Sequence, residues 1–154
     1  MAYVDFNTGL HNKSKCDSLI KETGILHPKR MHAAVMFDLN NLKTTNDTYG
    51  HQAGDLLILN FAKTIKKFAP KNAFIGRYGG DEFIALFTDT TKDEVLRYLK
   101  DIEISINKTS VSKQGLNISY AVGYELSENI NPCSFETLLN RADEKMYMDK
   151  KRRR

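Results

Sequence analysis

Cysteine is scarce in this chain. Its 154 residues hold two, Cys16 and Cys133, far apart and without a C-x-x-C spacing. That argues against a disulfide framework or a cysteine zinc site and suits a reducing compartment. Long hydrophobic runs are also missing. The longest are about five residues, 33–37 among them, whereas a membrane-spanning helix needs roughly 20. The opening residues carry Asp5, Asn7, His11 and Asn12 and no apolar stretch, so they do not read as a signal peptide. The histidines His11, His27, His32 and His51 show no metal-binding spacing, and there is no G-x-S-x-G, P-loop or Cys–His pair. A broad basic surface is absent too. The net charge is +4, but five cations close the chain at 150–154, and the other 18 face 19 acids. The body is near neutral, so a surface tracking nucleic-acid phosphates is not implied.

What is present is an ordinary globular composition, 41% hydrophobic and 27% charged, at a length that suits one domain. Residues 14–22 read as a short helix ending near Gly24. The run 33–37 reads as a buried central strand, and 38–50 as a polar, turn-rich stretch. Ile58, Phe61, Ala62, Ile65 and Phe68 recur at helical spacing until Pro70 stops them. Two short strands, 74–78 and 83–87, flank Gly79-Gly80-Asp81-Glu82 as a hairpin. Thr91 and Glu94 form a capping-box pattern ahead of a helix with Val95, Leu99, Ile102 and Ile106 on one face. Ile118, Tyr120, Val122 and Tyr124 alternate as a strand. Ser134 caps a last helix with Phe135, Leu138, Leu139, Ala142 and Met146. The order predicts an α/β chain of the α+β sandwich kind, with helices packed on a mixed sheet.

Two groups of residues carry candidate chemistry. Asp38 ends the central strand, and Asp81 and Glu82 sit in the hairpin expected beside it. Carboxylates converging at one sheet edge repel unless a divalent cation neutralises them, and hard oxygen ligands suit Mg²⁺ with phosphates completing the shell. Turn chemistry alone also accounts for Gly-Gly-Asp. In the polar stretch 41–55, Asn46 and Asp55 could offer an amide and a carboxylate to a guanine edge, and Lys43 could hold a phosphate. An ordinary polar loop accounts for the same residues, so spacing alone leaves both readings open.

Longer motifs go further. Arg77-Tyr-Gly-Gly-Asp-Glu-Phe83 resembles the signature of the GGDEF family, the bacterial diguanylate cyclases. Phe37-Asp-Leu-Asn-Asn-Leu-Lys43, then Asn46-Asp-Thr-Tyr-Gly-His51 and Gly54-Asp55, resembles that family's nucleotide-binding stretch at the same spacing. Asp5-Phe-Asn-Thr-Gly-Leu-His-Asn12 resembles its D-x-L-T-G-L-x-N opening, and Ala142-Asp-Glu-Lys-Met-Tyr147 with Lys150 its closing helix. The resemblance implies a central, mostly antiparallel sheet wrapped by helices, like the palm of nucleotide cyclases. It implies condensation of two GTP into cyclic di-GMP plus pyrophosphate between two copies of the domain, assisted by Mg²⁺ or Mn²⁺. By match to the family's motifs, Asp38, the Leu39 carbonyl and Asp81 are the metal ligands. Asp81 is also the proton acceptor, Glu82 assists at the metal, and Lys43 stabilises the transition state. Asn46 and Asp55 recognise guanine, and Lys150 and Arg154 bind the triphosphate.

The resemblance carries further expectations. The catalytic unit is a homodimer. The domain is cytoplasmic, touches neither nucleic acid nor membrane directly, and is excised from a longer sensor protein that is open to membrane anchoring. The alternative is a catalytically silent, GTP-binding regulatory module of the same fold. Departures exist. Pro70 and Ala73 stand where many relatives carry the arginine and aspartate of an R-x-x-D inhibitory site, so product inhibition through that site is expected to be absent. Asn7 replaces a usual leucine, Leu42 a usual phenylalanine and Asn40 a usual acid.

Overall fold

The apolar run at 33–37 becomes the centre of the molecule. The structure, a computed structural model, describes residues 3–109, 111 and 115–152. Strand β1 (Ala33–Leu39) is buried along its whole length. It lies between β3 (Glu82–Phe87) and β4 (Tyr120–Leu126), and β2 (Ala73–Arg77) pairs with the far side of β3. The order is β2-β3-β1-β4, and every pairing is antiparallel. The register sets Asp38 opposite Glu82 on one side and Ala121 on the other.

Five helices flank the sheet among the described residues: α1 (Lys13–Thr23), α2 (Leu42–Tyr49), α3 (His51–Lys67), α4 (Lys92–Asn107) and α5 (Phe135–Arg152). The expected stop signals operate. Asn12 accepts from the Lys15 N–H at the start of α1, and Gly24 ends that helix in the left-handed region at φ 60°. Thr91 caps α4 by accepting from the Glu94 N–H. Glu94 does not reach back to Thr91; its Oε1 accepts from Thr90 and Asn72, so the capping box is only half formed. Ser134 Oγ accepts from the Thr137 N–H at the start of α5.

Two expectations are corrected. The sheet that the element order predicts to be mixed is antiparallel throughout. The turn-rich reading of 38–50 misses α2, and α3 begins at His51, well before Ile58. The residues of α2 are threonine, asparagine and aspartate, weak helix formers that favour turns in isolation. Packing decides here: Leu42 and the buried Thr45 hold α2 down, and Gly50 at φ 92° turns the chain straight into α3.

The two faces of the sheet differ. Ala33, Val35, Phe37 and Leu39 point to α3 and α4, in a core shared with Phe61, Phe83, Phe87, Tyr98 and Tyr120. Its rings meet edge-on or tilted, with Phe61 5.3 Å from Phe83 and 5.2 Å from Tyr120. The buried Tyr98 hydroxyl donates to the Ile65 carbonyl at 2.7 Å, so its polar atom is satisfied. Ala34, Met36, Ile84, Leu86 and Ala121 point the other way, to Cys16 of α1 and to Leu138, Ala142 and Met146 of α5. On this side Gly123 touches the α5 backbone: a Cβ there would fall 2.2 Å from both the Ala142 oxygen and the Met146 nitrogen.

Candidate active site

The acidic residues meet at one end of the β1–β3 pair. The hairpin is closed by the Tyr78 and Gly79 N–H groups, which both donate to the Glu82 carbonyl. The Leu39 N–H donates to the Asp81 carbonyl at 2.8 Å, which ties the end of β1 to the hairpin main chain. Asp38 is buried. Its Oδ2 accepts from Lys150 Nζ at 3.0 Å, and its Oδ1 is buried without a partner. Burial raises Asp38 above the ordinary carboxylate range, and Asp81 adds to the shift while Lys150 opposes it. Glu82 is raised in the same sense, by burial first and then by Asp38, Asp81 and Asp143, again with Lys150 opposing. The site therefore holds excess negative charge that one lysine only partly offsets.

No three acidic, histidine or cysteine side chains are gathered tightly enough to hold a metal unaided, among the described residues. A cation here would rest on Asp38, Asp81 and the Leu39 carbonyl, with the ligand's own oxygens completing the shell. The donor set fits a hard divalent ion: all are oxygens, and one is an orphaned buried carboxylate oxygen whose desolvation a cation would repay.

Arg77 holds the signature turn in shape. Its Nη2 donates to the Gly80 carbonyl at 2.8 Å and its Nε to the Gly79 carbonyl at 3.3 Å. Its Nη1 meets both Asp5 oxygens, at 3.2 and 3.3 Å. Asp5 in turn accepts from the Thr8 N–H and hydroxyl. The opening loop and the signature hairpin are thus one clamp. Sequence reasoning gave Arg77 and Asp5 no role. Their only signal was a position at the ends of two motifs, because the pair is 72 residues apart in sequence.

At this same end of β1 the chain turns through Asn41, at φ 61°, into α2. Asn40 donates from Nδ2 to Ser119 Oγ. Lys43 lies exposed in the first turn of α2, and no side chain of Asn41 caps that turn. Asn46 lies on α2, and its amide sits against Gly54 of α3, the residue before the exposed Asp55. The structure therefore brings together Asp38, Asp81, Glu82 and Lys150, and separately Asn46 with the Gly54–Asp55 step. Arg154 lies outside the described residues. A cavity of about 770 Å³ lies elsewhere, beside β2, lined by His11, Lys66, Pro70, Lys71, Ala73 and Phe74 among others, with no arginine or aspartate in its lining.

Residues 2–154 match the family model described as diguanylate cyclase, GGDEF domain. The chain belongs to the GGDEF family. Among curated relatives, it is 32% identical to diguanylate cyclase A of Treponema denticola over 79% of this chain and 33% of that protein. It is 30% identical to the response regulator PleD of Caulobacter vibrioides over 97% of this chain and 34% of that protein. The chain thus spans about a third of the length of these relatives. Among solved structures, the GGDEF domain of DgcB from Caulobacter crescentus, in complex with c-di-GMP, superposes with a TM-score of 0.87 at 26% identity, over 100% of this chain and 90% of that one. The antiparallel sheet flanked by helices is the GGDEF fold. No helix is long and apolar enough to cross a membrane, among the described residues.

Proposed function

We propose that this GGDEF domain is a diguanylate cyclase: two copies face each other, each holding one GTP, and join them into cyclic di-GMP with release of pyrophosphate. The observation that carries the reading is the buried Asp38, with one orphaned oxygen, tied through the Leu39–Asp81 main-chain bond to the signature acids.

Asp38, Asp81 and the Leu39 carbonyl would hold Mg²⁺ or Mn²⁺. When bound, the ion supplies positive charge to the triphosphate and to the attacking oxygen. Asp81 takes the proton from the 3′-hydroxyl of one GTP. The O3′–Pα bond forms on the other GTP while its bond to pyrophosphate breaks. A second such step closes the ring. Glu82, raised by burial and its acidic neighbours, assists at the cation. Lys43 meets the charge that develops on the reacting phosphate. Lys150 exchanges its Asp38 partner for the triphosphate, and Arg154 adds a second basic contact. Asp55 accepts from the N1–H and N2–H₂ edge of guanine and Asn46 meets the neighbouring edge, so guanine is preferred over adenine, whose N1 carries a lone pair.

The test is product analysis with GTP and Mg²⁺ at several protein concentrations, beside Asp81→Ala. Cyclic di-GMP that rises more than linearly with protein, and disappears in the variant, is the expected outcome. GTP binding with no product, even after the domain is fused to a dimerising segment, would replace the enzyme by a GTP-holding regulatory module.

A further inference from the structure

Gly54 lies in the interior of α3, where glycine is a poor choice. An interior glycine costs a helix about 1 kcal/mol relative to alanine. Its φ is not in the left-handed region, so the backbone does not require it. Space does. A Cβ at Gly54 would fall 1.8 Å from Asn46 Oδ1, 2.7 Å from its Cγ and 3.2 Å from its Nδ2, and these are its three nearest neighbours. The obstacle is therefore a side-chain amide, not the backbone of α2. The same Oδ1 is buried and has no hydrogen-bond partner. An amide in that state is held by shape rather than by bonding, because no hydrogen bond within the protein fixes its oxygen.

We propose that Gly54 is a positioning residue for base recognition: its bare Cα is the floor on which the Asn46 amide rests, and that floor aims the amide at the guanine beside Asp55. This rests on the reading that Asn46 and Asp55 recognise guanine. A methyl group at position 54 forces the amide to swing away, since a side-chain tip yields where a backbone would not. The fold survives and that contact to the base is lost. The oxygen of the amide is the end turned into Gly54, so the end free for the base is Nδ2, a donor, which fits the ring N3 acceptor next to the 2-amino group that Asp55 reads. Hypoxanthine keeps that acceptor, so the substitution weakens guanine and hypoxanthine binding alike and leaves the preference between them, which Asp55 sets, unchanged.

The experiment compares the unmodified chain, Asn46→Ala, Gly54→Ala and the double variant. Calorimetry with Mg²⁺ measures 3′-deoxy-GTP and 3′-deoxy-ITP, which lack the attacking hydroxyl and are not turned over. Gly54→Ala and Asn46→Ala should each weaken 3′-deoxy-GTP about tenfold, the loss of one hydrogen bond, and the double variant should lose no more. Preference over 3′-deoxy-ITP should stay unchanged in all three. Thermal melting supplies the second readout: Gly54→Ala lowers the midpoint when Asn46 is present and raises it in the Asn46→Ala background, where the obstacle is gone. Normal 3′-deoxy-GTP binding by Gly54→Ala beside weakened Asn46→Ala overturns the inference and leaves the base reading standing. Unchanged binding by Asn46→Ala overturns the base reading itself. A loss by Gly54→Ala that deepens in the double variant assigns Gly54 to helix packing instead. A double variant that fails to fold does the same.

Discussion

The two faces of the sheet are built from different materials. Towards α3 and α4 the strands present Phe37, Phe83, Phe87 and Tyr120, which interlock with Phe61 and Tyr98. Towards α5 they bury no rings: aliphatic Met36, Ile84 and Leu86 stand beside Ala34, Ala121 and Gly123. Large rings bury much apolar area and hold their helices at a distance. Small residues bury less, but let α5 settle onto β4 until backbone meets Cα at Gly123. Polar contacts then fix α5 lengthwise: Lys145 and Arg141 meet Glu125, and Asp149 Oδ2 accepts the Val122 N–H at 3.0 Å. The close seam is what carries Lys150 to Asp38. One face serves stability, and the other sets the distance between a helix and the acidic site.

This division can be broken at either face. Phe37→Ala should have the largest effect on stability, about 3–5 kcal/mol, because it empties the centre of the ring cluster. For a domain of ordinary stability that is a large share of about 5–15 kcal/mol, and it is read from urea unfolding. At a temperature where the variant is still folded, GTP affinity should be near normal. Gly123→Ala should cost less, about 1–3 kcal/mol from overpacking, because α5 must lift off the strand. GTP affinity should nonetheless fall further than in Phe37→Ala, since Lys150 moves with its helix. Equal GTP binding by the two variants, measured by calorimetry, would remove the distinction between the faces.

Lys150→Met isolates the last step of that chain. The ammonium is partly exposed but its partner Asp38 is buried, so its loss should cost about 1–3 kcal/mol, the scale of an unsatisfied buried group. Nucleotide affinity should fall by about tenfold or more, the scale of a hydrogen bond to a charged group. A melting midpoint and a GTP titration on the same sample separate the two. The smallest effect concerns the clamp at the other edge of the sheet. Burial pushes Asp5 up, but its bonds from Thr8 and the Arg77 charge outweigh burial and hold it below the usual carboxylate range. A lowered folded value means stability that is present above the ordinary aspartate pKa and lost as pH falls through the lowered one. The difference in unfolding free energy between the unmodified chain and Asp5→Asn should therefore be largest near neutral pH and close as the solution is acidified below about 4. A difference independent of pH would show that the Asp5 charge contributes nothing to holding the signature turn.

Much of this protein can be read without coordinates. The strands at 33–37 and 83–87 announce themselves as short continuous apolar runs, because both faces of the sheet are covered, and the helices around Phe61, Ile102 and Leu138 because burial on one face leaves a period in the sequence. The acids at Asp38, Asp81 and Glu82 stand out because they end buried strands. Helix α2 was illegible for the converse reason. Its residues favour turns, it buries little, and only docking against α3 makes it a helix.

By itself, then, the sequence determined the elements that periodicity marks, the hairpin that Gly79 and Gly80 make, and the family that its ordered motifs name. Tertiary structure alone decided which charges and contacts meet: Lys150 with Asp38, Arg77 with Asp5, and the bare Cα of Gly54 with the Asn46 amide. The physical reason is range. Helical and strand periods are local consequences of backbone geometry, whereas an ion pair between residues 112 apart depends on how closely α5 approaches the sheet, which the size of one side chain at Gly123 sets.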